Sequence, residues 1–81
     1  MTEEEVTAKV KEIVIDVLDV PEDQVTPEIS FINDLGADSM DITSLIMDFE
    51  NAFDINIPED DANKIQTVGE AVKFIAEAVK D

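Results

Sequence analysis

Apolar residues return every three or four positions along most of this chain, and nowhere do they alternate with polar ones as a half-buried strand requires. Val6, Val10, Ile13, Val14, Val17 and Leu18 follow that period after Thr2, and Glu5 stands in capping-box spacing to the threonine. A first helix is expected over about residues 3 to 18. Met40, Leu45, Ile46, Phe49 and Phe53 carry a second helix from Ser39 to Phe53, with Asp38 or Ser39 as its N-cap. Pro58 suits the first position of a short third helix through Glu59, Asp60, Asp61 and Ala62. Thr67 with Glu70 forms another capping box and opens a last helix, whose Val72, Ile75, Ala76 and Val79 line one face. The fold class is therefore all-α, a small four-helix up-and-down bundle with a long first loop and a short third helix, one domain over residues 1–81.

Residues 19–37 carry Pro21 and Pro27, which interrupt any helix, together with Val25, Ile29, Phe31, Ile32 and Leu35. A connection of that length needs an anchor, and its apolar residues predict packing against the bundle, with room for a short helical turn. The linker Asp54-Ile55-Asn56-Ile57 offers two isoleucines for burial. The third helix is brief and acidic and is expected to be the least stable element. An 81-residue chain with 44% apolar content builds one core.

Charge narrows the function. Twenty-one acidic residues face five lysines, giving a formal net charge of −16, and no basic residue lies between Lys11 and Lys64. Nucleic acid is excluded as a partner on that balance, and a protein acting on this stretch should present lysines and arginines. Without cysteine there is neither a disulfide framework nor a thiolate metal site. No apolar run reaches the roughly 20 residues of a membrane helix, and the acidic N-terminus is unlike a secretory signal, so a soluble, cytoplasmic chain is expected. Histidine, cysteine, tyrosine, tryptophan and arginine are all missing, so no serine here has an imidazole base and the chain is not expected to be an enzyme. The carboxylates of Asp38 and Asp41, and the run Glu59-Asp60-Asp61, read as partner surface; no EF-hand loop exists and no resident metal is expected.

One hydroxyl stands out. In Asp34-Leu35-Gly36-Ala37-Asp38-Ser39-Met40-Asp41, Gly36 permits a turn that other residues resist, and Ser39 falls where the long loop gives way to the second helix. Free N–H groups and the positive end of the helix dipole would favour a phosphoester there, although a lone serine before a helix is most often a simple cap.

That octapeptide resembles the attachment signature of the acyl carrier proteins, with Met40 where leucine is usual. The similarity continues through Leu45, Ile46, Met47, Glu50, Phe53, Asp54, Ile57-Pro58-Glu59 and Lys64-Ile65-Gln66-Thr67-Val68. The resemblance implies that Ser39 receives 4′-phosphopantetheine from coenzyme A by a separate phosphopantetheinyl transferase, and that the arm's thiol carries acyl groups as thioesters. It further implies a partner-facing surface of Asp38, Met40, Asp41, Met47, Glu50, Ile57 and Glu59, used by acyl transferases and ketoacyl synthases with basic docking patches. It implies an acyl-chain pocket among Phe31, Ile32, Leu45, Ile46, Phe49, Ile57, Ala62, Ile65, Ala71 and Phe74. These are first of all core residues; a core opening to admit an alkyl chain gains about 0.8 kcal/mol per buried methylene.

The chain departs from the family pattern at Ser44, Asn51 and Asn56, where acidic residues are usual, at Asp48, where a small apolar residue is common, and at Phe49, bulkier than leucine. The expected function is a monomeric carrier in fatty acid or related polyketide or specialised lipid biosynthesis. Two other classes remain: a carrier of amino-acyl groups in a non-ribosomal or D-alanylation pathway, whose motif usually has a second glycine and histidine or aspartate where Ala37-Asp38 stands, and an unmodified acidic binding protein.

Overall fold

The structure is a computed structural model describing residues 2–79; Met1, Lys80 and Asp81, the ends of the expected single domain, lie outside the described residues. The helical period is realised as α1 (Glu3–Leu18), α2 (Ser39–Phe53), α3 (Glu59–Ala62) and α4 (Val68–Ala78), with one 3-10 turn at Glu22–Gln24 in the long loop. Helix α1 packs against both α2 and α4 through Val6, Val10 and Val14, the stripe that a three-to-four spacing places on one side. Ile13, Val17 and Leu18 flank that stripe half-buried. In α4 the buried stripe is Val68, Ala71 and Ile75, so the face expected from Val72, Ala76 and Val79 is its half-buried margin. No polar or charged residue is buried among the described residues. All the charge therefore stays hydrated, which avoids the several kcal/mol that burying each ion would cost.

Three helices open on reciprocal caps. The Thr2 hydroxyl accepts from Glu5 N–H at 3.2 Å while the Glu5 carboxylate accepts from Thr2 N–H at 2.9 Å. That backbone bond, with the threonine hydroxyl, holds the Glu5 carboxyl below its ordinary value. Its folded value lies below the unfolded one, so the cap's contribution is present at neutral pH and is lost as pH falls through the folded value. Thr67 and Glu70 repeat the box at α4, as the spacing predicts. Pro58 differs from expectation by one position: with φ −61° and ψ 155° it is the extended N-cap of α3, and its carbonyl accepts from Ala62 N–H at 2.9 Å.

The long loop is stitched to the start of α4 by backbone bonds. Phe31 N–H donates to the Gln66 carbonyl at 3.1 Å, Val68 N–H to Ile29 at 3.2 Å, and Gly69 N–H to Pro27 at 2.9 Å, forming an isolated antiparallel bridge between Ser30 and Thr67. Val25 and Phe31 are buried and Ile29 and Leu35 half-buried, so the loop packs as expected, but Ile32 is 59% exposed. It lies within the turn of residues 31–35, in which Phe31 enters the core and Leu35 packs half-buried against it while Ile32 is directed outward. In the linker after α2, Ile57 is buried and Ile55 half-buried.

Gly69 is explained by the stitch. A Cβ there would lie 2.9 Å from the Pro27 carbonyl oxygen, a backbone atom that cannot swing aside. Gly69→Ala should therefore destabilise despite alanine's helix propensity, lowering the melting temperature by about 4–8 °C, the effect of roughly 1 kcal/mol in a domain this small. An unchanged or raised melting temperature would show that the loop yields freely.

Helices α1 and α2 end on Asp19 and Asp54, both left-handed at φ 53°, with no basic residue in either last turn. The conformation favours glycine, and a carboxylate opposes the negative end of the helix dipole. Asp19→Gly should raise stability by roughly 1 kcal/mol in urea unfolding with an unchanged denaturant slope.

Candidate functional site

Ser39 reaches the surface because the segment before it is folded tightly. Asp34 and Leu35 N–H groups both donate to the Ser30 carbonyl at 3.1 Å, and the Asp34 carboxylate accepts from Ser30 N–H at 2.8 Å. Gly36 then takes φ +70°, a left-handed conformation that a residue with a Cβ resists. Ala37 is buried, its N–H donating to the Phe31 carbonyl at 2.8 Å, and the chain turns into α2.

Asp38 is the N-cap, which decides between the two candidates. Its carboxylate accepts from Asp41 N–H at 2.9 Å, and the Asp41 carboxylate accepts from Asp38 N–H at 3.2 Å. Ser39 is thus the first helical residue, exposed, with a free hydroxyl among the described residues, and its carbonyl accepts the Thr43 hydroxyl at 3.0 Å. The N–H groups of Ser39 and Met40 have no partner among the described residues. Two unpaired donors at a helix start are suited to hold a phosphate next to this oxygen.

Around the serine, Met40 is 78% exposed and Met47 56% exposed, the largest apolar side chains left open on α2. Asp38 and Glu59 are exposed and Asp41 is half-buried. Glu50 is half-buried and its carboxylate accepts from Ile57 N–H at 2.8 Å, fastening the linker after α2, while Ile57 itself is buried. Asp38, Asp41 and Glu50 thus carry structural bonds as well as charge.

Of the residues expected to form an acyl pocket, Phe31, Leu45, Phe49, Ile57, Ile65 and Ala71 are buried in one core cluster; Ile46, Ala62 and Phe74 are half-buried against it. Four of the expected residues, Phe31, Ile32, Ala62 and Ile65, line a cavity of about 260 Å³ between the loop, α2 and α3. Its remaining lining is Ser30, Asn33, Ile42, Asn63 and Gln66, none of which the sequence reading assigned to a pocket. Ile42 was reachable from the helical period, since it stands one turn after Ser39. The residues of the α3 connection were not, because nothing local says that they meet the loop. Among the described residues no three or more metal-ligating side chains gather, and no helix is long and apolar enough to cross a membrane.

Residues 8–75 match the family described as "Phosphopantetheine attachment site". An acyl carrier protein of Picosynechococcus sp. is 57% identical over 74 residues, which cover 91% of this chain and 91% of that protein. The solved structure of the acyl carrier protein from Enterococcus faecalis superposes with a TM-score of 0.83 at 40% identity, covering 96% of this chain and 99% of the other. Likeness in sequence and fold over almost the whole length, around a serine presented at a helix start, establishes that this chain belongs to the acyl carrier protein family, whose members are carriers and not enzymes.

Proposed function

We propose that Ser39 is the attachment point of 4′-phosphopantetheine and that the protein carries acyl intermediates of fatty acid or related polyketide biosynthesis as thioesters on that arm. The observation that carries this reading is an exposed serine oxygen at the first position of α2 beside two unpaired N–H groups. In the modification the Ser39 oxygen forms a bond to the phosphorus nearest the pantetheine of coenzyme A. The pyrophosphate P–O bond breaks, and the adenosine bisphosphate half leaves. The serine proton goes to the transferase, since no histidine, cysteine or tyrosine exists in this chain to take it. When bound, the group would supply a thiol for thioester exchange, and the Ser39 and Met40 N–H groups would hold its phosphate.

The transferase, acyl transferases and ketoacyl synthases would dock on Asp38, Met40, Asp41, Met47, Glu50, Ile57 and Glu59. Exposed methionines suit this role because a flexible, polarisable side chain adapts to several partners. Acidic residues around them attract basic patches and orient the encounter. The departures at Ser44, Asp48, Asn51 and Asn56 are all exposed, so they alter this surface without touching the core. The acyl chain would enter between α2 and α3 toward Leu45, Ile46, Phe49, Ala71 and Phe74, displacing core contacts as it goes. We read the protein as a cytoplasmic monomer.

Incubation of the unmodified protein with coenzyme A and a broad-specificity transferase should add one phosphopantetheine by intact mass, and Ser39→Ala should add none. Modification of Ser30 or Ser44 instead, or none at all, would overturn the assignment.

Charge steering has its own signature. Raising ionic strength from about 0.1 M to about 1 M shortens the screening length from about 10 Å to about 3 Å. The transferase KM for this protein should then rise by about tenfold or more while kcat changes little. A salt-independent KM would remove the acidic surface from the encounter.

A further inference from the structure

Apart from Met1, which lies outside the described residues, all the sulfur of this chain is in Met40 and Met47, since it has no cysteine. Neither methionine is in the core. Met40 is 78% exposed and Met47 is 56% exposed, whereas the buried residues are Val, Leu, Ile, Phe and Ala alone. Both stand on α2, two helical turns apart on one face, and Ser44 lies between them, four positions after Met40 and three before Met47. Ser44 is exposed and uncharged where the family pattern has an acidic residue. Met40 stands where the attachment signature usually has leucine, a side chain that offers an oxidant nothing to attack. In a chain without cysteine, tryptophan or tyrosine, an exposed thioether is the group that a mild oxidant meets first. The net charge of −16 opposes the approach of anionic oxidants and leaves that of neutral hydrogen peroxide unhindered.

We propose that Met40 and Met47 form a reversible oxidation site through which hydrogen peroxide weakens partner docking at Ser39, an inference that rests on the docking surface proposed above. A sulfur lone pair attacks one peroxide oxygen, and the S–O bond forms as the O–O bond breaks. The proton on the transferred oxygen passes to the departing hydroxide, which leaves as water. Sulfur is oxidised by two electrons, the peroxide is reduced by two, and each methionine gains one oxygen atom. A flexible apolar thioether thereby becomes a polar sulfoxide. In the free protein the new oxygen stays in water, and the Ser44 hydroxyl next to it on the helix face can donate to it, which a carboxylate there could not. A partner that covers the methionines with apolar surface strips that water away and leaves the oxygen unpaired, so binding weakens. The fold does not depend on either side chain, because neither belongs to the core cluster or to the hydrophobic residues packed against it. Oxidation here therefore acts on docking and spares the fold, and methionine sulfoxide reductases can reverse it.

The test treats unmodified protein with hydrogen peroxide, removes the peroxide, and measures phosphopantetheine transfer from coenzyme A by a broad-specificity transferase. Peptide mapping should find one added oxygen on Met40 and one on Met47. The transferase KM should rise about tenfold, the effect of one polar atom left unpaired in a covered interface, with kcat little changed. The melting temperature should move by no more than about 2–4 °C, as for a surface substitution in a domain this small. Treatment with the two methionine sulfoxide reductases, one for each sulfoxide epimer, should restore the starting KM. In the double variant Met40→Leu, Met47→Leu, which keeps Met1, peroxide should leave KM at that variant's own untreated value. Methionines that resist the peroxide, or an unchanged KM once both are oxidised, would overturn the site. So would an equal rise of KM in the double variant, which would place the effect elsewhere, or a collapse of the melting temperature, which would make the oxidation damage to the fold. Untreated wild-type protein that accepts no phosphopantetheine would overturn the carrier reading itself.

Discussion

The position of the serine depends on a short backbone stitch between two segments far apart in sequence. Pro27, Ile29 and Phe31 exchange hydrogen bonds with Gln66, Val68 and Gly69, and this fixes the long loop to the first turn of α4. Everything between the stitch and α2 is then tightly determined: Phe31 enters the core, its carbonyl receives Ala37, Gly36 reverses the chain, and Asp38 caps the helix. Without the stitch, ordering the loop would have to be offset by its few apolar side chains against about 1–2 kcal/mol of backbone entropy per residue. Gly69 carries the tightest approach because only a residue without a Cβ lets the two backbones meet there.

With five lysines against twenty-one acidic residues, this chain has little scope for ion pairs. It uses carboxylates as hydrogen-bond acceptors for backbone N–H groups instead: Glu5, Asp34, Asp38, Asp41, Glu50 and Glu70 all do so. Each such bond satisfies an orphan donor at a helix start or turn while leaving the carboxylate near water. The acidity that would attract basic partners is therefore also the material of the fold, and on the docking surface proposed above the Asp38 and Glu50 side chains would serve both ends.

What could be read from the sequence follows the range of the interactions involved. Helix periods and the Thr2 and Thr67 boxes are local, and they were legible to within a residue or so; Pro58 missed by one position because a proline suits both the cap and the first helical place. The box of Asp38 and Asp41 escaped notice because the usual signature pairs Ser or Thr with Glu or Gln, and two aspartates look like surface charge. The bridge from Ser30 to Thr67 is non-local and leaves no trace in either segment alone. Ile32 has the hydrophobicity of a core residue and differs from Phe31 only in the direction that its turn gives it. Ser39 itself was conspicuous in its octapeptide, whereas the meeting of Asn63 and Gln66 with the long loop around one cavity is a product of folding that neither segment shows alone.

Helix α3 is four residues long with no buried side chain, and it hangs between Ile57 and Ile65, both of which are buried. It behaves mechanically as a strap pegged at two points, not as a structural member of the bundle. The α1 interfaces with α2 and α4 do not pass through it, so the strap can loosen while the framework stays assembled. Amide protons in residues 59–64 would then exchange through a local opening far shallower than global unfolding, and the protein would have two separate thermodynamic scales, one for the framework and one for the strap.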